Sequence, residues 1–240
     1  METVEKVRFE VEDELNLISA SLEKSSPEEI LKWAVHKYGS KLAFATAFGV
    51  EGCILIAMLA EIDPERKVRV FNLETGYQFK ETLELRETIK KRYGIEVEYV
   101  RSKESVAEME GRFGGPIYGT SPDICCSIRK VEPLKLALRG QDAWFSAIRR
   151  DQTPDRAASN IIQWDSKFNL VKIAPLANWT KGDVWAYATI NEVPYNPLHD
   201  KGFPSIGCFP CTRAVAPGED DRSGRWSTFA KLECGLHSRN

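Results

Sequence analysis

Leu42-Ala43-Phe44-Ala45-Thr46-Ala47-Phe48-Gly49-Val50-Glu51-Gly52 is the stretch on which the fold of this 240-residue chain turns. Its first part, Leu42 to Phe48, is an apolar run of strand length, as expected for a strand covered on both faces. Gly49 breaks the run, and Cys53 to about Glu61 then reads as an apolar helix. Buried strand, glycine turn and helix together form the opening unit of an α/β sheet.

The same alternation continues downstream. Val68 to Leu73 predicts a second strand ending at Glu74-Thr75-Gly76, and an amphipathic helix follows from about Gln78 to Tyr93, with Gly94 placed to close it. Glu96–Val100, Ala143–Ile148 and Leu170–Ile173 predict three further strands, and Thr180-Lys181-Gly182-Asp183 caps a last helix reaching about Ile190. Upstream, Ser26-Pro27-Glu28-Glu29 starts a helix with a cap, a proline at the first turn and a capping-box glutamate. The expected fold is α/β, a mostly parallel sheet flanked by helices. Its organisation reads as a polar N-terminal arm over 1–25, one α/β domain over 26–216, and a flexible tail over 217–240 rich in Gly, Ser and charge.

Composition excludes several classes. The 33 Lys+Arg and 35 Asp+Glu nearly cancel, which argues against nucleic acid held by net charge. With 42% hydrophobic and 28% charged residues the chain can bury a core. The longest apolar stretch, Cys53 to Ala60, spans 8 residues, well under the roughly 20 that cross a bilayer. The acidic Met1–Glu14 lacks the plan of a secretory signal, so the expectation is a cytoplasmic protein off the membrane. Self-association is left open, a homo-oligomer included.

In parallel sheets, ligands bind beyond the carboxyl ends of the strands. Those ends carry Thr46 to Gly52, then Leu73 to Gly76, then Arg149-Arg150-Asp151-Gln152-Thr153-Pro154-Asp155-Arg156. The first is a strand-to-helix loop able to meet an anion, without the Walker A pattern. The third gathers three arginines in eight residues, which suits a phosphate or sulfate pocket beside the first; its plainer reading is a solvated loop.

Cysteines stand at 53, 125, 126, 208, 211 and 234. In a reducing compartment the pairs Cys125-Cys126 and Cys208-x-x-Cys211 read as metal or cluster ligands rather than disulfides. C-x-x-C spacing is shared by zinc knuckles, redox dithiols and iron–sulfur sites, and does not choose among them. Neighbouring cysteines on a helix point about 100° apart, so two on one centre require local distortion. Arg129 and Lys130 lie about one turn on, where cations offset thiolate charge, and Pro133 should kink or restart that helix. Cys53 reads as a buried small hydrophobe, and Cys234 as an accessible thiol on the tail.

Four strings in order carry a family resemblance: Cys125-Cys126-Ser127-Ile128-Arg129-Lys130-Val131-Glu132-Pro133-Leu134, Arg149-Arg150-Asp151-Gln152, Pro204-Ser205-Ile206-Gly207-Cys208-Phe209-Pro210-Cys211-Thr212-Arg213, and Glu233-Cys234-Gly235-Leu236-His237. From about residue 40 the chain resembles the phosphoadenylyl-sulfate reductase family, and within it the thioredoxin-dependent assimilatory adenylyl-sulfate reductases. The resemblance implies an adenine-nucleotide α-hydrolase-like fold. It implies a [4Fe–4S] cluster on Cys125, Cys126, Cys208 and Cys211, and a catalytic nucleophile at Cys234. Members acting on the 3′-phosphorylated nucleotide generally lack the cluster cysteines, so all four here imply adenylyl sulfate (APS). Lys130, Arg222, Arg225 and His237 would contact the phosphosulfate; Arg156, Leu73, Thr75 and Gly76 would help hold the nucleotide, with Arg149 in the arginine loop and Thr46, Phe48 and Gly49 in the first loop. The chain departs from the family in that loop, where Thr46 stands in place of several serine hydroxyls, and at Ala147, where relatives commonly have glycine. With no fused redoxin domain before Asn240, the reductant is expected to be a separate thioredoxin.

The implied reaction is reduction of APS to sulfite and AMP through an S-sulfocysteine on Cys234. The alternatives are use of 3′-phosphoadenylyl sulfate (PAPS), alone or as well, and a zinc-stabilised nucleotide-binding regulatory module. An ATP-dependent adenylyl transferase would need a Ser-Gly-Gly-type pyrophosphate loop, which Thr46 to Gly52 lack.

Overall fold

The structure, a computed structural model, describes residues 2–229 together with Lys231, Glu233, Gly235 and Leu236, with side chains from Val11 onward. It begins with a helix, Glu2–Ser21 (α1), where the sequence predicts only a polar arm. The period is present in Val11, Leu15, Ile18 and Leu22, which face the main core on one stripe. Surrounding charge and the lack of a cap signal hide it.

Pro27–Tyr38 (α2) starts as predicted. The Glu29 amide donates to Ser26 Oγ at 3.2 Å and the Ser26 amide donates to the Glu29 carboxylate at 2.7 Å. Strands and helices then alternate: Leu42–Thr46 (β1), Val50–Ile62 (α3), Arg69–Glu74 (β2), Lys80–Tyr93 (α4), Glu98–Arg101 (β3), Val106–Phe113 (α5), Pro122–Cys126 (α6), Glu132–Ala137 (α7), Ala143–Phe145 (β4), Pro154–Ala157 (α8), Ile162–Asp165 (β5), Leu170–Ile173 (β6) and Lys181–Ile190 (α9). The last helix is capped as predicted, with the Asp183 amide donating to Thr180 Oγ1 at 3.2 Å.

The sheet order is β3-β2-β1-β4-β6-β5, parallel throughout except for the edge strand β5, which pairs antiparallel with β6. Strand β5 is absent from the sequence reading. Only four residues long, it pairs on one side with β6, and on the other its Ile162 amide donates to Ser19 Oγ of α1 at 3.2 Å. The N-terminal helix thus covers part of an edge that would otherwise be open. The chain winds outward from β1 to β3 and resumes beyond β1 at β4, so the order reverses between β1 and β4 and leaves a crevice at their carboxyl ends.

Alternate strand residues feed two cores. Leu42, Phe44, Ala143 and Phe145 face one side with α2, α3 and α9, while Ala43, Phe71 and Trp144 face the other with Leu134 and Ala137 of α7. Ile54, Leu55 and Ile56 of α3 are each 0% exposed, and each contributes on the order of 1.5–3 kcal/mol by burial. Cys53 lies among them with its thiol pushed up to about 12 by burial, the behaviour expected of a core residue.

After α9 the regular elements among the described residues are two single 3-10 turns, His199–Lys201 and Phe209–Cys211. Beyond Pro217 the described residues make contacts with the domain. Arg213 N donates to Gly224 O at 2.9 Å, Trp226 N donates to Cys211 O at 3.1 Å, and Trp226 is buried. Cys234 and His237 lie outside the described residues. Among the described residues, no helix is long and apolar enough to cross a membrane.

Candidate active site

A cleft of about 800 Å³ opens at the carboxyl ends of β1, β2 and β4, a size that suits a nucleotide. Thr46, Gly49, Leu73 and Thr75 line it from the strand ends; Lys130, Arg149, Arg156, Lys181, Arg222 and Arg225 bring cations, matched by acids that include Glu51, Asp151 and Glu233. Two predicted contacts stand elsewhere. Phe48 turns the first loop with φ 55° and buries its ring in the core at 1% exposure. Gly76 is outside the cleft lining and makes the turn after β2: its φ is +78°, and a Cβ there would meet Val106 at 2.4 Å.

The first loop satisfies itself before any ligand arrives. Phe48 N donates to Thr46 Oγ1 at 3.1 Å, and Asn72 Nδ2 donates to Thr46 O at 2.8 Å. Gly52 is required there, because a Cβ would come 2.6 Å from Thr46 Oγ1. The loop delivers the chain to the N-terminus of α3, capped by Gly49, whose amides face the anion end of such crevices.

The three arginines of the third loop divide. Arg150 turns away: Nε donates to Ser159 O at 2.7 Å, and Nη1 to Glu23 and Asn178. Arg149 enters the cleft but is held by acids, with Nε donating to Asp151 at 2.9 Å and Nη1 donating to Glu51. Arg156 donates from Nε and Nη2 to the two oxygens of Glu233, each at 2.9 Å, and from Nη1 to Gln152. Arg225 packs its guanidinium 4.4 Å over Trp226, against Gly207.

The cysteine pairs meet across the ends of β2 and α6. Cys125 and Cys126 close α6, and the chain then widens into one π turn, Ser127–Val131, before α7. The widening directly follows the second cysteine, and Pro133 restarts the helix as predicted. Arg129 pins this turn, donating from Nε to Thr75 O at 2.7 Å and from Nη1 to Glu104 O at 2.6 Å. The second pair is tied by Phe209 N donating to Tyr77 O at 2.8 Å and by a contact of 3.3 Å between Thr75 Oγ1 and Cys208 Sγ.

All four cysteines line one small cavity together with Tyr77, Lys130 and Trp226. Burial, then the neighbouring Cys126, Cys208 and Cys211, push the Cys125 thiol up to about 12, while Lys130 pulls it down. Cys211 is raised chiefly by burial and drawn down by Lys130, Arg225 and Lys231. Among the described residues, no three His, Cys, Asp or Glu converge as a single metal ion requires. Four sulfur donors bordering one cavity are a donor set of the kind that soft metal centres take. Lys130 lines both this cavity and the cleft, and so stands between them.

The phosphoadenosine phosphosulfate reductase domain matches residues 41–214. The chain belongs to the phosphoadenosine phosphosulfate reductase family. It is 47% identical over 227 residues to a phosphoadenosine 5′-phosphosulfate reductase of Gloeobacter violaceus, covering 93% of each chain. It is 46% identical over 209 residues to an adenosine 5′-phosphosulfate reductase of Bacillus pumilus, covering 87% of this chain and 89% of that one. A crystal structure of the phosphoadenylyl-sulfate reductase of Candida auris superposes with TM-score 0.73 at 30% identity, over 84% of this chain and 96% of that one. The FMN adenylyltransferase of Candida glabrata, at TM-score 0.56 and 16% identity over 81% of this chain and 65% of that one, shares the fold.

Several residues of the cleft are given no role in the sequence reading. Glu51, Gln152 and Glu233 organise the arginines, although Gln152 and Glu233 lie inside the strings that carry the resemblance. Buried Ser146 Oγ and Gln78 Oε1 have no hydrogen-bond partner among the described residues, and both residues line the cleft. Their positions at or just after strand ends are the signal that could have found them.

Proposed function

We propose that this protein reduces adenylyl sulfate to sulfite and AMP in sulfate assimilation, in the cytoplasm, with a thioredoxin as the separate dithiol donor. The observation that carries the reading is Lys130, which lines at once a nucleotide-sized cleft and a cavity bordered by four cysteines. The name of the Bacillus pumilus relative supports APS as the nucleotide. The name of the Gloeobacter violaceus relative supports the PAPS alternative, at similar identity.

In this reading Cys125, Cys126, Cys208 and Cys211 hold a [4Fe–4S] cluster, which supplies a compact polarisable charge centre beside Lys130. Lys130, Arg222 and Arg225 neutralise the phosphosulfate so that an anionic nucleophile can approach it. Unpartnered Ser146 Oγ and Gln78 Oε1 offer hydrogen bonds to the nucleoside. The Cys234 thiolate attacks the sulfate sulfur; the new S–S bond forms as the S–O bond to AMP breaks, and AMP leaves with the electron pair. A donor thiolate then attacks Cys234 Sγ, releasing sulfite and leaving a mixed disulfide, which the donor's second thiol resolves. Two thiols are oxidised to one disulfide while sulfate sulfur is reduced to sulfite. Cys234 must meet nucleotide and donor in turn.

The test is sulfite release from APS and PAPS side by side, with thioredoxin as donor. Faster turnover of APS is the expected result, and a preference for PAPS would reverse the assignment. Incubated with ³⁵S-labelled APS, the wild type should carry protein-bound label and Cys234→Ser none. Label on the variant would move the nucleophile elsewhere.

A further inference from the structure

Residue 233 precedes the proposed nucleophile, and its side chain is among the least exposed of the acids in the cleft. The Glu233 carboxylate is 8% exposed and accepts from both Nε and Nη2 of Arg156, at 2.9 Å each. Such a two-point pair fixes orientation as well as distance. Its second oxygen also lies 3.5 Å from Arg222 Nη2, so two guanidiniums converge on one carboxylate. Behind Arg156, Gln152 accepts from Nη1 and donates to Glu51 at 3.0 Å, which steadies the guanidinium against the first turn of α3. On the other side of residue 234, Gly235 O accepts from Lys167 Nζ, and Leu236 packs against the second core.

We infer that Glu233 is a positioning residue: its clasp by Arg156 and Arg222, with the Lys167 contact beyond, sets the register in which residue 234 is presented to the cleft. The inference rests on Cys234 being the nucleophile. Arg156 keeps one N–H on each terminal nitrogen after its contacts to Glu233 and Gln152. The same guanidinium can therefore hold the tail and touch a nucleotide anion together. Misplacement of a reacting atom by about 1 Å costs on the order of 10²-fold in rate, so a buried clasp one residue away has direct leverage.

Glu233→Gln keeps the shape and removes the charge that two guanidiniums share. In single turnover with ³⁵S-labelled APS, the full-length holoenzyme variant should transfer label to protein about 10²-fold more slowly. Calorimetry should place its Kd for AMP within about threefold of wild type, and iodoacetamide should alkylate Cys234 faster because the tail is undocked. Glu233→Asp, which keeps the charge on a shorter arm, should recover part of the rate. An unchanged transfer rate overturns the inference. A parallel fall of AMP affinity and thermal midpoint also overturns it, because that marks a structural defect. Cys234→Ser separates the two readings: label on that variant removes the nucleophile assignment, whereas a silent Cys234→Ser beside a full-rate Glu233→Gln removes only the role of Glu233.

Discussion

Thr75 Oγ1 lies 3.3 Å from Cys208 Sγ, joining the end of β2 to the second cysteine pair. The same hydroxyl accepts from Tyr77 N at 3.2 Å, and Thr75 O accepts from Arg129, which belongs to the helix of the first pair. One residue thus connects the cleft to both cysteine pairs. In the proposed cluster-bound state the Cys208 sulfur would be a thiolate and the hydroxyl the donor, and a hydrogen bond to sulfur favours the more negatively charged redox state. Thr75→Val should retain iron, lower the reduction potential of the bound group, and cost about 1 kcal/mol of stability. Redox titration of the purified variant beside wild type checks this; an unchanged potential would show that the contact is packing alone.

Protein purified anaerobically should be brown and contain about four iron and four sulfide per chain. Replacing Cys125 or Cys211 with serine should abolish the visible absorption. A colourless protein with one zinc and no sulfide would instead support the zinc-stabilised regulatory module.

Lys130→Ala should keep the visible spectrum, because lysine is not a sulfur ligand, and should lower turnover by about 100-fold through lost charge stabilisation. Steady-state sulfite release together with the absorption spectrum decides it. Wild-type turnover would make Lys130 a bystander.

Gly207 has room only for hydrogen. A Cβ there would come 2.2 Å from Arg225 Nη2 and 2.5 Å from its Cζ. The clash falls on the far end of a flexible side chain, so Gly207→Ala should fold with a near-normal melting point while Arg225 leaves its place over Trp226. AMP and APS affinity should weaken by about tenfold, or about 1.4 kcal/mol. A normal Kd would place Arg225 outside the anion site.

His199 sits 5.4 Å from the Trp185 ring on the cleft wall, and burial lowers its pKa from the ordinary 6.5. The folded state holds it neutral while the unfolded chain protonates it more readily. Its contribution to stability is therefore complete above about pH 6.5 and is lost as pH falls through that value toward the depressed one. Urea midpoints for wild type and His199→Asn between about pH 5 and 8 should diverge at high pH and converge at low pH; parallel curves would deny the linkage.

The amino-acid sequence by itself determined the elements whose information is local. The apolar runs at β1, β2 and β6, the caps at Ser26 and Thr180, and the closing Gly94 are readable because periodicity and turn chemistry act over a few neighbouring residues. The restart of the helix at Pro133 was legible for the same reason. Strand β5 and α1 were not, since each is completed by the other: a four-residue edge strand and a highly charged helix are stabilised by mutual packing. The fates of the three arginines were decided only by tertiary structure. Arg150 pairs with Glu23, 127 residues away, and Arg156 with Glu233, 77 residues away, while Arg149 is taken by Glu51, 98 residues away. A guanidinium follows whichever carboxylate the packed fold brings within reach, and that proximity exists only after the sheet has assembled.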